Sequence, residues 1–309
     1  MNTPSNVMPE SSVESQVMPL RPIPAMRRIY WAVRREFWEN RAIYVAPLAV
    51  ATLFLFGFAI SMVHLPQRVR ATAFDTMKQH ETIVQPYDMA AALLMGTFLI
   101  VAVFYCIEAL QRERRDRSIL FWKSLPVSDF TTVAAKASIP FVVLPLLTFA
   151  VTVVTQFIML SLSSAVLAVS GLSVTAYWAQ VSLVQSSLLL LYHLVTVHVL
   201  GCAPAFAWLL LVSAWARRAA LLWAVLPPLA VCALEKLLFN TAHFAESLER
   251  LLTGSGTEAV MAPGTLPMDP HTHITPEHFL GSPGLWIGLA FAGIFLAAAV
   301  RVRRYREPI

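Results

Sequence analysis

Charged residues are scarce in this chain. Lysine, arginine, aspartate and glutamate make up 13% of the 309 residues, whereas 57% of the residues are hydrophobic. A soluble domain carries about 25% charged residues, because its surface must be covered by groups that water solvates. The mean hydropathy of +0.64 also excludes a water-facing surface of this size. We therefore predict an all-α integral membrane protein with several membrane-spanning helices.

Cysteine is equally scarce, and its placement excludes two kinds of site. The three cysteines, Cys106, Cys202 and Cys232, all lie inside apolar runs, and no CxxC pair occurs. We therefore predict neither a disulfide framework nor a thiolate metal site. The net charge of +5 does not indicate nucleic-acid binding, because the basic residues stand in short groups beside apolar runs, as topology signals do.

Six runs lack charged residues over lengths that can cross a bilayer core of about 30 Å. They predict spans at about residues 43–63, 89–107, 139–162, 181–215, 219–234 and 285–300, within a transmembrane domain at 42–303. As a straight helix the fourth run would be about 52 Å long. We predict that it forms one tilted or kinked helix that ends near Arg217.

Basic residues collect on one side of the predicted spans. With the N-terminus in the cytoplasm, 18 of the 23 lysines and arginines fall on the cytoplasmic side. Both termini are therefore predicted to be cytoplasmic, with a disordered tail at 1–25 and a second tail at 304–309. The segment 237–283 becomes an outer loop, which we interpret as a partial lid over an outer vestibule.

Residues 26–41 predict a basic amphipathic helix ahead of the first span. Ile29, Tyr30, Val33 and Phe37 recur on one side of a helix, while arginines lie mostly elsewhere. With its two tryptophans, such a helix suits the headgroup layer of a membrane. The alternative is ordinary positive flanking of a span, without a discrete element.

The segment between the second and third spans predicts a docking element. A dense charge run is followed by the apolar residues 119–122, which would be exposed on a cytoplasmic loop unless something covers them. Pro126 ends this element, and Ser128 is a good N-cap for the next helix. A short apolar helix framed by charge fits either a cytoplasmic partner or the protein's own helix ends.

This segment resembles the corresponding region of ABC-2 type transporter permeases. The resemblance is carried by Glu113-Arg114, Arg117-Ser118-Ile119-Leu120, Ser124-Leu125-Pro126-Val127-Ser128 and Lys136. The order of features, a basic helix, six spans and a large outer segment before the last span, is also similar over residues 26–305. The sequence departs from the family pattern at Arg117, where many members have glycine, and at Leu125, which is inserted before the proline.

The resemblance implies a non-catalytic membrane subunit of an ABC transporter, an exporter in a bacterial inner membrane, that works with a second permease copy or paralogue. Residues 114–125 would be a coupling helix in a groove of a separate ATP-binding subunit. The residues assigned to this coupling are Glu113, Arg114, Arg115, Asp116, Arg117, Ser118, Ile119, Leu120, Phe121, Trp122, Lys123 and Leu125. No GxxxxGK[ST] phosphate loop occurs in the chain. ATP and Mg²⁺ would therefore be bound by the partner, and this chain would bind no cofactor of its own.

Histidines offer the remaining candidate sites. His193 and His198 lie in the fourth run, where they could line a substrate path or form an interhelical hydrogen bond. Five residues apart on an α-helix, they are about 140° out of phase and form a poor ligand pair. Asp269, His271, His273 and His278 lack a scaffold that would make them a metal site, so no metal is predicted.

A self-sufficient secondary transporter or an integral membrane enzyme is the alternative function. Such a protein needs ionisable residues deep within its spans. Apart from the two histidines, the six uncharged runs contain almost none, and no Gly-x-Ser-x-Gly or HExxH motif occurs.

Overall fold

The computed structural model describes residues 25–71, 76–115, 128–171, 173–247 and 280–305. Within these ranges all regular structure is helical and no strand forms. Six helical stretches are long and apolar enough to cross a membrane. The all-α class and the count of six spans are thus confirmed for the described part of the chain, which is that of a multi-pass membrane protein.

Twelve α-helices are labelled here in chain order, interrupted by one 3₁₀ turn at Met62–His64 and two π-helical segments at Ile139–Val143 and Leu194–Gly201. They are α1 (Ala25–Glu39), α2 (Ala42–Ser61), α3 (Leu65–Ala71), α4 (Thr76–Glu108), α5 (Gln111–Arg115), α6 (Asp129–Ser138), α7 (Leu144–Val169), α8 (Val174–Gln180), α9 (Leu183–His193), α10 (Ala203–Trp215), α11 (Ala220–Phe239) and α12 (Pro283–Tyr305).

Several helices run well past the uncharged segments that predicted them. The third membrane-crossing stretch covers Asp129–Val169 and the second covers Thr82–Glu113. The absence of charge marks only the part of a helix that lies in hydrocarbon, whereas hydrogen bonding continues into the polar flanks. The last helix likewise continues to Tyr305, so the tail predicted from residue 304 begins inside α12.

The fourth predicted span is interrupted. Helix α9 passes into the π-helical segment Leu194–Gly201, Cys202 forms a turn, and α10 then runs to Trp215. Only the part up to Gly201 is long enough to cross a membrane, and α10 is a shorter apolar helix. The prediction of one kinked helix is therefore wrong, although the last helical residue, Trp215, is close to the predicted end near Arg217. The break falls two residues before Pro204.

The helices form a bundle around α4 and α7. Helix α4 packs against α2, α7 and α10, and α10 packs along α12. Helix α1 lies against α6, with Val33 and Phe37 on the core and Tyr30, Trp31 and Trp38 exposed. The inward face of α1 thus matches part of the predicted apolar side.

The two ends of the bundle differ in chemistry. At one end, side chains from α1, α5, α6 and α12 form buried ion pairs. At the other, the Arg70 guanidinium donates to the Ser170 carbonyl, where Gly171 takes a positive φ of 70° just after α7 ends. Helix α1 and the C-terminal end of α12 both lie at the end with the ion pairs. The chain between them therefore crosses the bundle an even number of times.

Some predictions fall outside the described residues. These are the tail at residues 1–24, the central part of the coupling element at 116–127, most of the outer loop at 248–279 with Asp269, His271, His273 and His278, and residues 306–309.

Candidate functional site

Five charged side chains meet at one end of the bundle, in a group that we call the ion cluster: Glu36, Glu113, Asp129, Lys136 and Arg303. Glu36, Glu113, Lys136 and Arg303 are each no more than 4% exposed, although charged residues are almost never fully buried unless they are paired. The cluster joins α1, α5, α6 and α12, which are far apart in the sequence.

Helix α6 brings two members of the ion cluster onto one face. The Ser128 hydroxyl accepts the Thr131 backbone N–H at 3.1 Å, which confirms the predicted N-cap and begins α6 at Asp129. Lys136 follows Asp129 by seven residues, so that both lie on the same side of the helix. Val133 lies between them on that face and is 2% exposed.

A hydroxyl from another helix sets the position of Glu113. Helix α4 ends at Glu108, and the backbone N–H groups of Leu110 and Gln111 both donate to the Ser213 Oγ on α10, at 2.9 and 3.0 Å. These N–H groups at the start of α5 have no acceptor within the helix. The Ser213 hydroxyl oxygen is the acceptor for both. The resulting turn directs the Glu113 side chain into the bundle.

Glu113 is the centre of the ion cluster. Its Oε2 lies 2.6 Å from Arg303 Nη1, and its Oε1 lies 3.2 Å from Lys136 Nζ. Lys136 Nζ also lies 2.7 Å from Glu36 Oε1, while Arg303 Nε lies 3.1 Å from Asp129 Oδ1. Acidic and basic groups thus alternate along one connected chain of contacts.

Polar neighbours complete the environment of Glu36. The Tyr105 hydroxyl donates to Glu36 Oε2 at 3.0 Å, and Asn40 Nδ2 lies 3.3 Å from the same oxygen. Arg112 Nη1 in turn donates to Asn40 Oδ1 at 2.9 Å. Both carboxylate oxygens of Glu36 therefore have donors, as a buried charge requires.

The ion cluster fixes the relative positions of the helices that it joins, and the reason lies in the energetics of buried ion pairs. Such pairs add little net stability over apolar packing, but removing one partner costs about 3–5 kcal/mol, because the other charge is left buried. Helices joined by these pairs cannot shift independently without breaking them. The cluster therefore holds α1, α5, α6 and α12 in one arrangement.

Two members of the ion cluster flank the predicted coupling element in the sequence. Glu113 precedes residues 116–127 and Asp129 follows them, and the Arg303 guanidinium contacts both carboxylates. A single side chain of the last helix thus joins the two ends of that segment.

The residues predicted to contact an ATPase divide into three groups. Glu113 points into the bundle, which differs from its expected place at the partner's surface, because Arg303 and Lys136 neutralise it there. Arg114 and Arg115 belong to α5. Asp116, Arg117, Ser118, Ile119, Leu120, Phe121, Trp122, Lys123 and Leu125 lie outside the described residues.

Of the two histidines of the predicted substrate path, His193 is the last residue of α9 and His198 lies within the π-helical segment Leu194–Gly201. His193 Nδ1 is 3.0 Å from the Leu189 carbonyl oxygen, and His198 Nδ1 is 3.3 Å from the His193 carbonyl oxygen. The α-helical estimate of 140° does not apply here, because a π-helix bonds residues that are five apart. The His198 ring also contacts the Phe98 ring edge-to-face, with 5.6 Å between centroids.

The carboxylates of the ion cluster do not suit a metal ion. Lysine and arginine groups already occupy them at hydrogen-bonding distance. Among the residues that the structure describes, no group of three or more His, Cys, Asp or Glu side chains could hold a metal.

Sequence reasoning missed Glu36, Ser213 and Arg303 as parts of this site. Glu36 carried a detectable signal, since it stands between Val33 and Phe37 on the apolar side of α1, where a charge needs a partner. Arg303 resembled an ordinary topology signal among the arginines at the end of the last span. Ser213 carried no signal, because its role depends on the contact between α10 and the turn after α4.

No family model, curated protein or solved structure matches this chain.

Proposed function

We propose that this protein is the non-catalytic membrane subunit of an ATP-driven ABC exporter, coupled through residues 113–129 to a separate ATP-binding subunit. The observation that carries the proposal is the ion cluster, in which Arg303 holds Glu113 and Asp129 on either side of the predicted coupling element. The resemblance of residues 113–136 to ABC-2 type permeases supports an ATP-binding subunit as the partner.

A coupling element must pass movement to the spans on both of its sides. Glu113 follows α4 directly through the turn that Ser213 anchors. Asp129 begins α6, which continues through the π-helical segment into α7. Because Lys136 also holds Glu36 at 2.7 Å, a push on residues 116–127 would reach α1 and α12 as well as the second and third spans.

We assign different roles to the apolar residues, the charged residues and Glu113 of the coupling element. Ile119, Leu120, Phe121, Trp122 and Leu125 would pack into a groove of the ATP-binding subunit. The charged residues 114–117 and Lys123 would contact its surface. Glu113 we reassign to the internal transmission of movement, because its carboxylate is bonded within the bundle.

The membrane placement belongs to the same proposal. We place the ion-cluster end in the cytoplasm of a bacterial cell, since 18 of the 23 basic residues fall on that side of the spans. Lipid covers the outer faces, and a second permease copy or paralogue completes the transporter. ATP and Mg²⁺ bind only to the partner.

Co-purification from the native membrane tests the proposal. The unaltered protein should bring down a subunit that carries a phosphate loop, and the double variant Leu120→Asp with Trp122→Asp should lose it. Tyr305→Asp is the matched control, because Tyr305 is 70% exposed at the same end but outside the coupling element. Retention of the subunit and of ATP-dependent transport by the double variant would refute the coupling assignment. Transport without any such subunit would favour a self-sufficient secondary transporter or membrane enzyme.

A further inference from the structure

Helix α7 carries a row of buried polar residues through the middle of the bundle. This polar stripe consists of Thr148, Thr152, Thr155, Gln156 and Ser163, each at most 2% exposed. The first four are spaced at i, i+4, i+7 and i+8, which places them on one face of the helix. Helices α2, α4 and α9 pack against α7.

Two oxygen atoms of the polar stripe are left without hydrogen bonds. Thr152 and Thr155 donate to carbonyl oxygens of their own helix, Thr148 O at 2.8 Å and Val151 O at 2.7 Å. Thr148 Oγ1 and Gln156 Oε1, in contrast, are buried and have no hydrogen-bond partner. The Gln156 amide nitrogen reaches only the Tyr87 carbonyl, at 3.4 Å.

Unpaired polar atoms in a membrane interior require an explanation. Leaving such a group buried without a partner costs about 1–3 kcal/mol, and neither water nor lipid tails can satisfy it in the hydrocarbon region. Valine and leucine would have the right shape for these positions without that cost. Polar groups within spans that face the bundle interior commonly mark the path of a transported molecule.

We propose that the polar stripe lines the path of the transported cargo once α4 and α7 separate, and that it pairs with uncharged hydrogen-bonding groups of that cargo. The inference rests on the proposed transport function and identifies the substrate class. In the arrangement described above the stripe is closed, with Ala90 of α4 packed in the same cluster as Met159 of α7. Separation of the helices would supply partners to Thr148 Oγ1 and Gln156 Oε1.

The chemistry of the polar stripe sets the class of cargo. All five side chains are hydroxyls or an amide, so they offer donors and acceptors but no counter-charge. Hydroxyl or amide groups on the cargo can pair with them, whereas an ionised group would be left without compensation. An amphipathic cargo whose uncharged polar part runs along α7 fits these groups.

Thiol labelling of the transporter complex tests the path. Thr152→Cys, with Ser163→Cys as a second and more conservative variant, is made in a chain whose Cys106, Cys202 and Cys232 are replaced by alanine. Both are reconstituted with the co-purified ATP-binding subunit and treated with a membrane-impermeant maleimide. We expect labelling to become at least about tenfold faster in ATP, because the open state is a minor population without it. Val154→Cys is the control, because Val154 is on the lipid-facing side of the same helix, 57% exposed, and should stay unlabelled.

The possible outcomes separate the two proposals. If both stripe variants stay unlabelled while the bound subunit hydrolyses ATP, the path is wrong and the proposed function stands. If no ATP-binding subunit co-purifies, the proposed function fails, and the path fails with it.

Thr148→Val distinguishes a path from structural packing. The change removes an unpaired hydroxyl and keeps the shape, so the thermal unfolding temperature should stay the same or rise. Labelling of Thr152→Cys in ATP should still accelerate, because the helices still separate. Thr97→Val is the control, since Thr97 donates to its own helix at 2.8 Å, faces outward and should change neither value. A lower unfolding temperature for Thr148→Val would show that the hydroxyl is a structural contact and would overturn the argument.

Discussion

At the scale of single residues, Arg303 has the most consequential contacts. Its guanidinium joins Glu113 and Asp129, which stand on either side of the proposed coupling element in the sequence, and Arg303 is 4% exposed. A guanidinium can serve two carboxylates at once because its donors form a rigid fork. Lysine at this position would keep the charge but lose one of the two contacts.

Arg303→Ala should destabilise the protein strongly. Glu113 would lose its shortest ion pair and keep only the longer contacts with Lys136 at 3.2 Å and Arg35 at 3.9 Å among those described. Breaking a buried pair costs about 3–5 kcal/mol. Thermal unfolding in detergent checks this. Arg304→Ala is the control, because Arg304 stands in the same turn and its guanidinium lies over the exposed Tyr305 ring, 5.8 Å from the ring centroid. Equal unfolding temperatures for the two variants would contradict a structural role for the ion cluster.

Glu235 is a second residue whose role depends on local geometry. Its Oε1 accepts the Thr241 hydroxyl at 3.0 Å and the His243 N–H at 2.9 Å, and its Oε2 accepts the Phe244 N–H at 2.8 Å. The carboxylate thus satisfies the first N–H groups of the helical turn at residues 243–247. Asn240, in the left-handed region with φ of 51°, ends α11 and allows the chain to turn back toward it.

Glu235→Ala should release the start of the outer loop. Without the carboxylate, the N–H groups of His243 and Phe244 and the Thr241 hydroxyl lose their acceptor. The loop should then be cleaved faster by a protease added on the side that we propose to be outside. Limited proteolysis followed by mass spectrometry measures the rate. Lys236→Ala should leave cleavage unchanged, and similar rates in both variants would argue against the capping role.

At the scale of elements, the contact between α10 and α12 depends on small residues. Ala203, Ala207 and Ala292 form one buried cluster across this contact. A Cβ atom added to Gly288 would lie 3.2 Å from Pro204 Cγ, so the two helices approach closely there. Without a hydrophobic driving force between helices in lipid, such close packing is a main source of association.

Gly288→Leu should therefore separate α10 from α12. Overpacking of a close contact costs about 1–3 kcal/mol, and the shift should reach the ion cluster because Arg303 is on α12. Thermal unfolding should show a lower midpoint. The matched control is Gly293→Leu, since Gly293 lies in the same helix with nothing within 4 Å of an added Cβ. An unchanged midpoint for Gly288→Leu would contradict the close packing.

At the scale of the whole molecule, we expect the two ends of the bundle to differ in their accessibility to reagents added outside the cell. Arg304→Cys at the ion-cluster end should resist an impermeant thiol reagent added to intact cells, and Ser173→Cys at the other end should react. Both should react after the membrane is permeabilised. The reverse pattern would show that the positive residues do not orient this protein as proposed.

The sequence by itself determined the class, the number of spans and the helical segment before them. Long uncharged runs are a signal of this kind because hydrocarbon excludes charge and requires internally bonded helices. It also placed the N-cap at Ser128, since capping depends only on a few neighbouring residues.

Only the tertiary structure decided which charges are buried and which polar atoms lack partners. The sequence assigned no partner to Glu36, Lys136 or Arg303. Their ion pairs with one another and with Glu113 depend on four helices meeting at one end. The break at Cys202 and the unpaired Gln156 Oε1 likewise depend on how neighbouring helices pack. Local patterns cannot fix contacts such as Glu36–Lys136 and Glu113–Arg303, whose residues are 100 and 190 positions apart, because those distances are set by the packing of the whole bundle.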